Sequence, residues 1–265
     1  MILSNTQAER YARHIILPEV GGKGQFKLIQ SSVLVLGAGG LGSPVVMYLA
    51  AAGVGKIGVV DDDVVDLSNL QRQILHSSER LNISKVLSAK KTVESLNPEV
   101  VLVPHNERLG VENVERLIAN YDLIVDGSDN FDTRFLINDA CYFAQKTLVS
   151  GAILRFEGQI STFKPHLGNG NHCYRCIFPV PPPSGIIPTC SEAGVFGALA
   201  GVVGSIQAVE VLKELLGIGK SLAGNILIYD GLDTTWRKVK VQSDPSCPLC
   251  GNHATIHDLN SHRRK

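Results

Sequence analysis

The chain predicts an α/β fold, a parallel sheet flanked by helices that continues into antiparallel strands. Three observations carry this expectation. Short apolar runs alternate with helical patterns through the first half of the 265 residues. A glycine-rich turn stands directly after the first apolar run, and beyond Gly151 the pattern changes to paired strands.

The elements follow in order after an N-terminal helical arm over residues 1–30. SSVLVLG (31–37) reads as a buried strand, leading through the glycine turn into a helix over 44–52. KIGVVD (56–61) is a second strand, and a helix over 84–96 ends at Asn97-Pro98. VVLVP, a helix over 111–119, DLIVD, a helix over 133–144 and TLVSG complete a nucleotide-binding half, 31–150. AILRFEGQISTFK predicts two strands joined around Glu157-Gly158. PVPPPSGIIP (179–188) cannot be regular structure and reads as an exposed, mobile loop, since proline lacks the backbone donor. A long helix over 195–217 and the strands NILIYDG and TWRKVKV follow, within a second half spanning 151–251. The tail, 252–265, is polar and expected to fray. All of this reads as one domain of residues 1–265, with Gly151 marking a change within one sheet.

Composition bounds the partners. Hydrophobic residues at 44% and charged residues at 19% permit a sizeable core. With 25 basic and 25 acidic residues the net charge is zero, so no electrostatic case for nucleic acid or membrane arises. Gln207, Glu210, Lys213 and Glu214 interrupt the most apolar stretch, which therefore reads as a core or interface helix. The N-terminus lacks a basic start followed by an unbroken apolar run, so a cytoplasmic location is expected.

Gly37, Gly39 and Gly42 fit GxGxxG between a strand and a helix, the Rossmann-like arrangement. Glycine lets backbone approach phosphate, and the helix N-terminus offers free N–H donors. Asp61 ends the next strand, placed to bond a ribose hydroxyl. This much does not separate NAD from ATP. The following DDDVVDLSNLQRQILH adds Asn69, Arg72 and Gln73, for which a dehydrogenase has no use. Arginine suits phosphate because its planar fork makes paired charge-assisted bonds, Lys85 supplies a second positive charge, and Asp129 in DGSDN is placed to hold Mg²⁺. Singly, Arg72 and Lys85 read as surface charges, Asn69 as a turn residue and Asp129 as a helix N-cap. Together, beside a glycine loop at strand ends, they predict a triphosphate site.

Cys173-x-x-Cys176 and Cys247-x-x-Cys250 supply the four thiolates of a closed, structural Zn²⁺ site; a redox pair and four unrelated thiols are the competing readings. Cys141 lies in an apolar helix and reads as core.

GAGGLG, DDDVVDLSNLQRQILH, Ser84-Lys85, DGSDN, the two CxxC pairs and TCSEAGV make the chain resemble the bacterial E1-like enzymes of the ThiF/MoeB/HesA family, from RYARHIIL to CPLCG. The resemblance implies adenylation, with Mg-ATP, of the C-terminal Gly-Gly carboxylate of a ubiquitin-like sulfur carrier, with ATP contacts from Gly40, Asp61, Asn69, Arg72, Gln73 and Lys85 and the metal on Asp129. It implies a homodimer in which Arg13 reaches the neighbouring subunit's phosphates; a solvated helix charge is the other reading. No rhodanese domain is read in the sequence, so sulfur is expected to arrive from a separate donor. In ThiF-like relatives a cysteine at the place of Cys190 can join a persulfide or thioester intermediate with the carrier, whereas MoeB-like relatives do not need it; an ordinary buried thiol is the other reading of Cys190. DDDVVDLSNLQRQIL and DGLDTTWR look ThiF-like and GAILRFEGQIS and TCSEAGV MoeB-like, which leaves thiamine and molybdopterin biosynthesis both open. A tRNA-modifying E1-like dehydratase, an NAD-dependent dehydrogenase and a non-catalytic adaptor are the other classes weighed. The first would carry a more basic surface and no paired CxxC, the second leaves Arg72 and Lys85 unexplained, and the third would have lost the ATP contacts. If the carrier tail threads beneath the proline-rich loop, residues 179–188 are expected to be disordered without it.

Overall fold

β-branched and leucine-rich runs build a single eight-stranded sheet in the order β3-β2-β1-β4-β5-β6-β7-β8. The computed structural model describes residues 3–168, 170–183, 186 and 190–263, with backbone alone at Cys190 and Ser191. β1 (Ser32–Leu36), β2 (Lys56–Val60), β3 (Val101–His105), β4 (Leu123–Asp126) and β5 (Thr147–Leu154) pair in parallel. β6 (Glu157–Phe163), β7 (Asn225–Asp230) and β8 (Thr235–Lys240) continue antiparallel. TLVSG and AILR are thus one strand, not two: β5 pairs β4 on one edge and β6 on the other. The hairpin turn falls at Arg155-Phe156, ahead of the expected Glu157-Gly158, because Leu154 already pairs with Glu157.

β1 shows how the sheet is buried on both faces. Its side chains alternate, so Val33 and Val35 enter one core with α3 (Gly21–Gln30), α4 (Gly42–Ala52) and α5 (Lys85–Leu96). Leu34 and Leu36 enter the other, with α6 (Val114–Ala119) and α7 (Phe131–Phe143). The first two helices, α1 (Asn5–Arg10) and α2 (Ala12–Ile15), precede α3, and Ser4 closes a reciprocal capping box with Gln7. A short α8 (Cys190–Ala193) precedes the long α9 (Gly197–Leu216), which packs on α4, β5 and β6. Gly204 permits that contact: a Cβ there would stand 2.6 Å from the Leu41 carbonyl oxygen. Among the described residues no helix is long and apolar enough to cross a membrane.

The described part of the tail, 252–263, is not frayed. Thr255 and Ile256 donate backbone N–H bonds to the Pro248 carbonyl, Leu259 is buried, and His262 lies 2.7 Å from buried Asp139. Of the proline-rich loop, 184, 185, 187 and 188 lie outside the described residues, where the expected disorder of 179–188 falls.

Candidate active site

A cleft of about 680 Å³ opens at the carboxyl ends of β1, β2 and β4. The strand order reverses between β1 and β4, the place where open α/β sheets leave a crevice for ligands. Gly37, Gly39, Gly40, Asp61, Arg72, Gln73, Lys85 and Asp129 all line it. They come from four loops or helix starts separated along the chain.

The glycine loop is held from beneath. Ala38 donates its N–H to Asp61 Oδ2 (2.8 Å), and its carbonyl lies 2.8 Å from His76 Nε2. The Gly39 carbonyl accepts from Ser43 N (3.0 Å) and Ser43 Oγ (2.6 Å). Gly42 opens α4 outside the cleft lining, and only glycine fits there, since a Cβ would stand 1.8 Å from the Gly37 carbonyl oxygen. The N–H groups of Gly39 and Gly40 have no acceptor among the described residues, so both remain available at the start of α4.

Asp61 ends β2 and also accepts from the Asp63 N–H (2.9 Å). Burial raises its pKa, and Lys85 and the two N–H donors offset part of that rise. Lys85 is 5% exposed and so is no surface charge; its ammonium donates to Asp63 Oδ2 at 2.7 Å. Arg72 is half-buried, lays its stem along Gly40 and donates to the Ser68 carbonyl. Gln73 is buried, and its Oε1 has no partner among the described residues. Asn69 stands outside the cleft lining; its carbonyl accepts the Arg72 and Gln73 N–H groups and shapes the turn that presents them. Asp129 is exposed at the cleft, and the N-cap of α7 is its neighbour Asn130, which removes capping as the explanation of Asp129. Arg13 is exposed on α2 and does not line the cleft. Cys190 begins α8, and its side chain is outside the described residues.

Three participants escaped sequence reasoning. Asp63 pairs with Lys85, and His76 reaches the glycine loop across 38 residues. Arg134 lines the cleft with Nη2 on the Ser128 and Gly151 carbonyls and Nε 3.5 Å from buried Asp126. Asp63 and His76 both stand in the stretch already singled out, but nothing local distinguishes them. Arg134 looked like an ordinary helix residue.

The two CxxC pairs meet although 74 residues separate them. Sulfur separations of 3.4, 3.4, 3.6 and 3.9 Å are too long for disulfides of about 2.05 Å. They suit a tetrahedral ion with metal–sulfur bonds of about 2.3 Å, whose thiolates would stand about 3.8 Å apart. The cluster could therefore hold a metal ion. Cys141 is fully buried elsewhere, and burial pushes its thiol pKa far up, as befits a core residue.

Residues 11–249 match the ThiF family. The chain belongs to that family. This ThiF-family chain is 51% identical to a sulfur carrier protein adenylyltransferase of Thermus thermophilus, over 96% of its own length and 94% of the relative's. It is 49% identical to the SAMP-activating enzyme E1 of Haloferax volcanii, covering 94% and 91%. Among solved structures it is similar to E. coli MccB crystallised with AMPCPP and MccA, with a TM-score of 0.79, 21% identity and coverage of 91% and 74%. At that identity the structural likeness concerns the fold alone.

Proposed function

We propose that this ThiF-family chain is an ATP-dependent adenylyltransferase, activating the C-terminal Gly-Gly carboxylate of a ubiquitin-like sulfur carrier as an acyl-adenylate with release of pyrophosphate. The observation that carries this is the convergence on one cleft of two unpaired backbone N–H groups, Arg72, Lys85, Arg134 and Asp129. The name carried by the 51%-identical Thermus relative supports the same reading.

The carrier carboxylate is itself the nucleophile, so the site needs no general base. The difficulty is bringing that anion against a triphosphate and accommodating charge on the departing pyrophosphate. Arg72, Lys85 and the glycine-loop N–H groups bind and neutralise the phosphates, Gln73 and Asn69 set the turn around them, and Asp61 takes the ribose. Asp129 would hold Mg²⁺, whose charge would offset that of the phosphates. The Cys173, Cys176, Cys247 and Cys250 site holds structural Zn²⁺ and ties residues 247–250 to the body. Arg13 acts in the partner's cleft within a homodimer. Sulfur arrives from a separate donor, for molybdopterin or thiamine biosynthesis, and Cys190 stands at the place where a covalent carrier intermediate would form.

ATP–pyrophosphate exchange with Mg²⁺ tests the reading, with MoaD-like and ThiS-like carriers offered separately. Exchange is expected to require one carrier and to fall on the order of 10²-fold or more in Arg72→Ala. Absence of exchange with every carrier would overturn it.

A further inference from the structure

We infer that His76 is a positioning residue for phosphate binding, holding the Ala38–Gly39 peptide in the orientation that aims the Gly39 N–H into the cleft. The inference deepens the adenylyltransferase reading and rests on it. A trans peptide is planar, so its carbonyl and its N–H point in opposite directions. The Ala38 carbonyl is held 2.8 Å from His76 Nε2, beneath the loop. The N–H of the same peptide belongs to Gly39, which lines the cleft and offers that donor to no acceptor among the described residues.

The hydrogen-bond network settles which ring nitrogen carries the proton. A carbonyl only accepts, so Nε2 is protonated, and Nδ1 accepts from the Ser88 hydroxyl at 2.9 Å. Both nitrogens of this 7% exposed ring are thereby satisfied. Burial lowers its pKa, with Lys85 and Arg80 adding to the effect, so the ring is neutral near pH 7. Ser88 stands one helical turn along α5 from Lys85, so one helix presents the ammonium and sets the latch.

Glycine at position 39, on the C-terminal side of this peptide, lowers its intrinsic resistance to rotation. Without the latch, a flipped peptide would turn a carbonyl oxygen towards phosphate and withdraw a donor. Ser43 performs the same service for the next peptide, where its bonds to the Gly39 carbonyl direct the Gly40 N–H. A histidine that only filled space would stabilise the fold without distinguishing ligands that carry phosphate from those that do not.

Calorimetric titration of the full chain with ATP and, separately, adenosine tests this in His76→Leu, His76→Gln and Ser88→Ala. The Leu variant is expected to weaken ATP roughly tenfold while adenosine affinity stays near wild type. Gln can place an amide donor near the imidazole Nε2 position and should recover most of the loss. Ser88→Ala, which frees Nδ1, should give an intermediate loss for ATP alone, and it serves if the Leu variant does not fold. ATP affinity unchanged in Ser88→Ala or in folded His76→Leu, equal losses for ATP and adenosine, or failure of Gln to recover any affinity would each overturn the proposal. A wild-type protein that binds no ATP overturns the parent reading and this one with it; wild-type binding with indifferent variants overturns this one alone.

Discussion

At Asp139 one carboxylate serves three elements. It sits fully buried in α7, accepts a bifurcated bond from Arg175 Nε on its two oxygens and one from Nη2, and meets His262 from the tail at 2.7 Å. Arg175 lies inside the first CxxC pair, stacks over Phe135 and also donates to the Pro179 carbonyl. Burial works to raise the Asp139 pKa, but the bonds from His262 and Arg175 outweigh it, and the net shift is downward. The folded value thus lies below the unfolded one, so the stabilisation is whole above the ordinary carboxylate range and drains as pH falls through the depressed folded value. Asp139→Asn leaves the buried Arg175 guanidinium without its carboxylate and should cost about 3–5 kcal/mol in urea unfolding near pH 7. The difference from wild type should shrink in acid; a constant difference down to pH 2 would show that the carboxylate's charge is not what matters. The same environment explains what was legible at the residue scale. Arg72, Lys85, Gln73, Asp61 and Asp129 were visible because their chemistry fits phosphate, ribose or metal. Asp63, His76, Arg134 and Asp139 were not, since their importance lies in partners that no local spacing reveals.

Among the elements, the four-cysteine site joins two short turns that would otherwise be weakly held. Cys173 and Cys247 are fully buried beside Leu249, with Tyr142 and Ile256 packed against them. None of the four cysteines lines the cleft. Metal analysis of the purified chain should therefore find one zinc per chain. Chelation, or Cys247→Ser, should lower Tm by several degrees while changing the ATP affinity of the still-folded fraction little. Full stability with no bound metal would remove zinc from the account. The tail illustrates how composition misled: its polar residues suggested fraying, yet Leu259 and His262 dock on α7 and the aromatic core behind it. One buried leucine and one hydrogen bond to a buried carboxylate outweigh a hydrophilic average.

For the whole molecule, the open question raised by the geometry is Arg13. It is exposed on α2 and does not line its own cleft, a placement that suits both the proposed role in a partner's cleft and a solvated helix charge. Mixing inactive Arg13→Ala with inactive Arg72→Ala subunits should restore exchange, because a mixed dimer contains one cleft with both arginines intact. Sedimentation of the mixture should show a dimer. Dimers whose mixture stays inactive would overturn action across the interface, and full exchange by Arg13→Ala alone would place Arg13 outside the reaction.

The order and kind of most elements, the glycine loop, the polar stretch after β2 and the paired cysteines were determined by the sequence alone. Each rests on something local: strand and helix periods, turn residues, or ligand types at fixed spacing. Tertiary structure decided the rest. β5 changes from a parallel to an antiparallel partner along its two edges, which joined two apparent strands into one and moved the hairpin turn to Arg155-Phe156. Packing seated the tail, brought cysteines 74 residues apart to within 4 Å, and set His76 beneath Ala38. These are pairings between distant segments, fixed by sheet register and by which apolar faces meet, and no short window of residues contains that information.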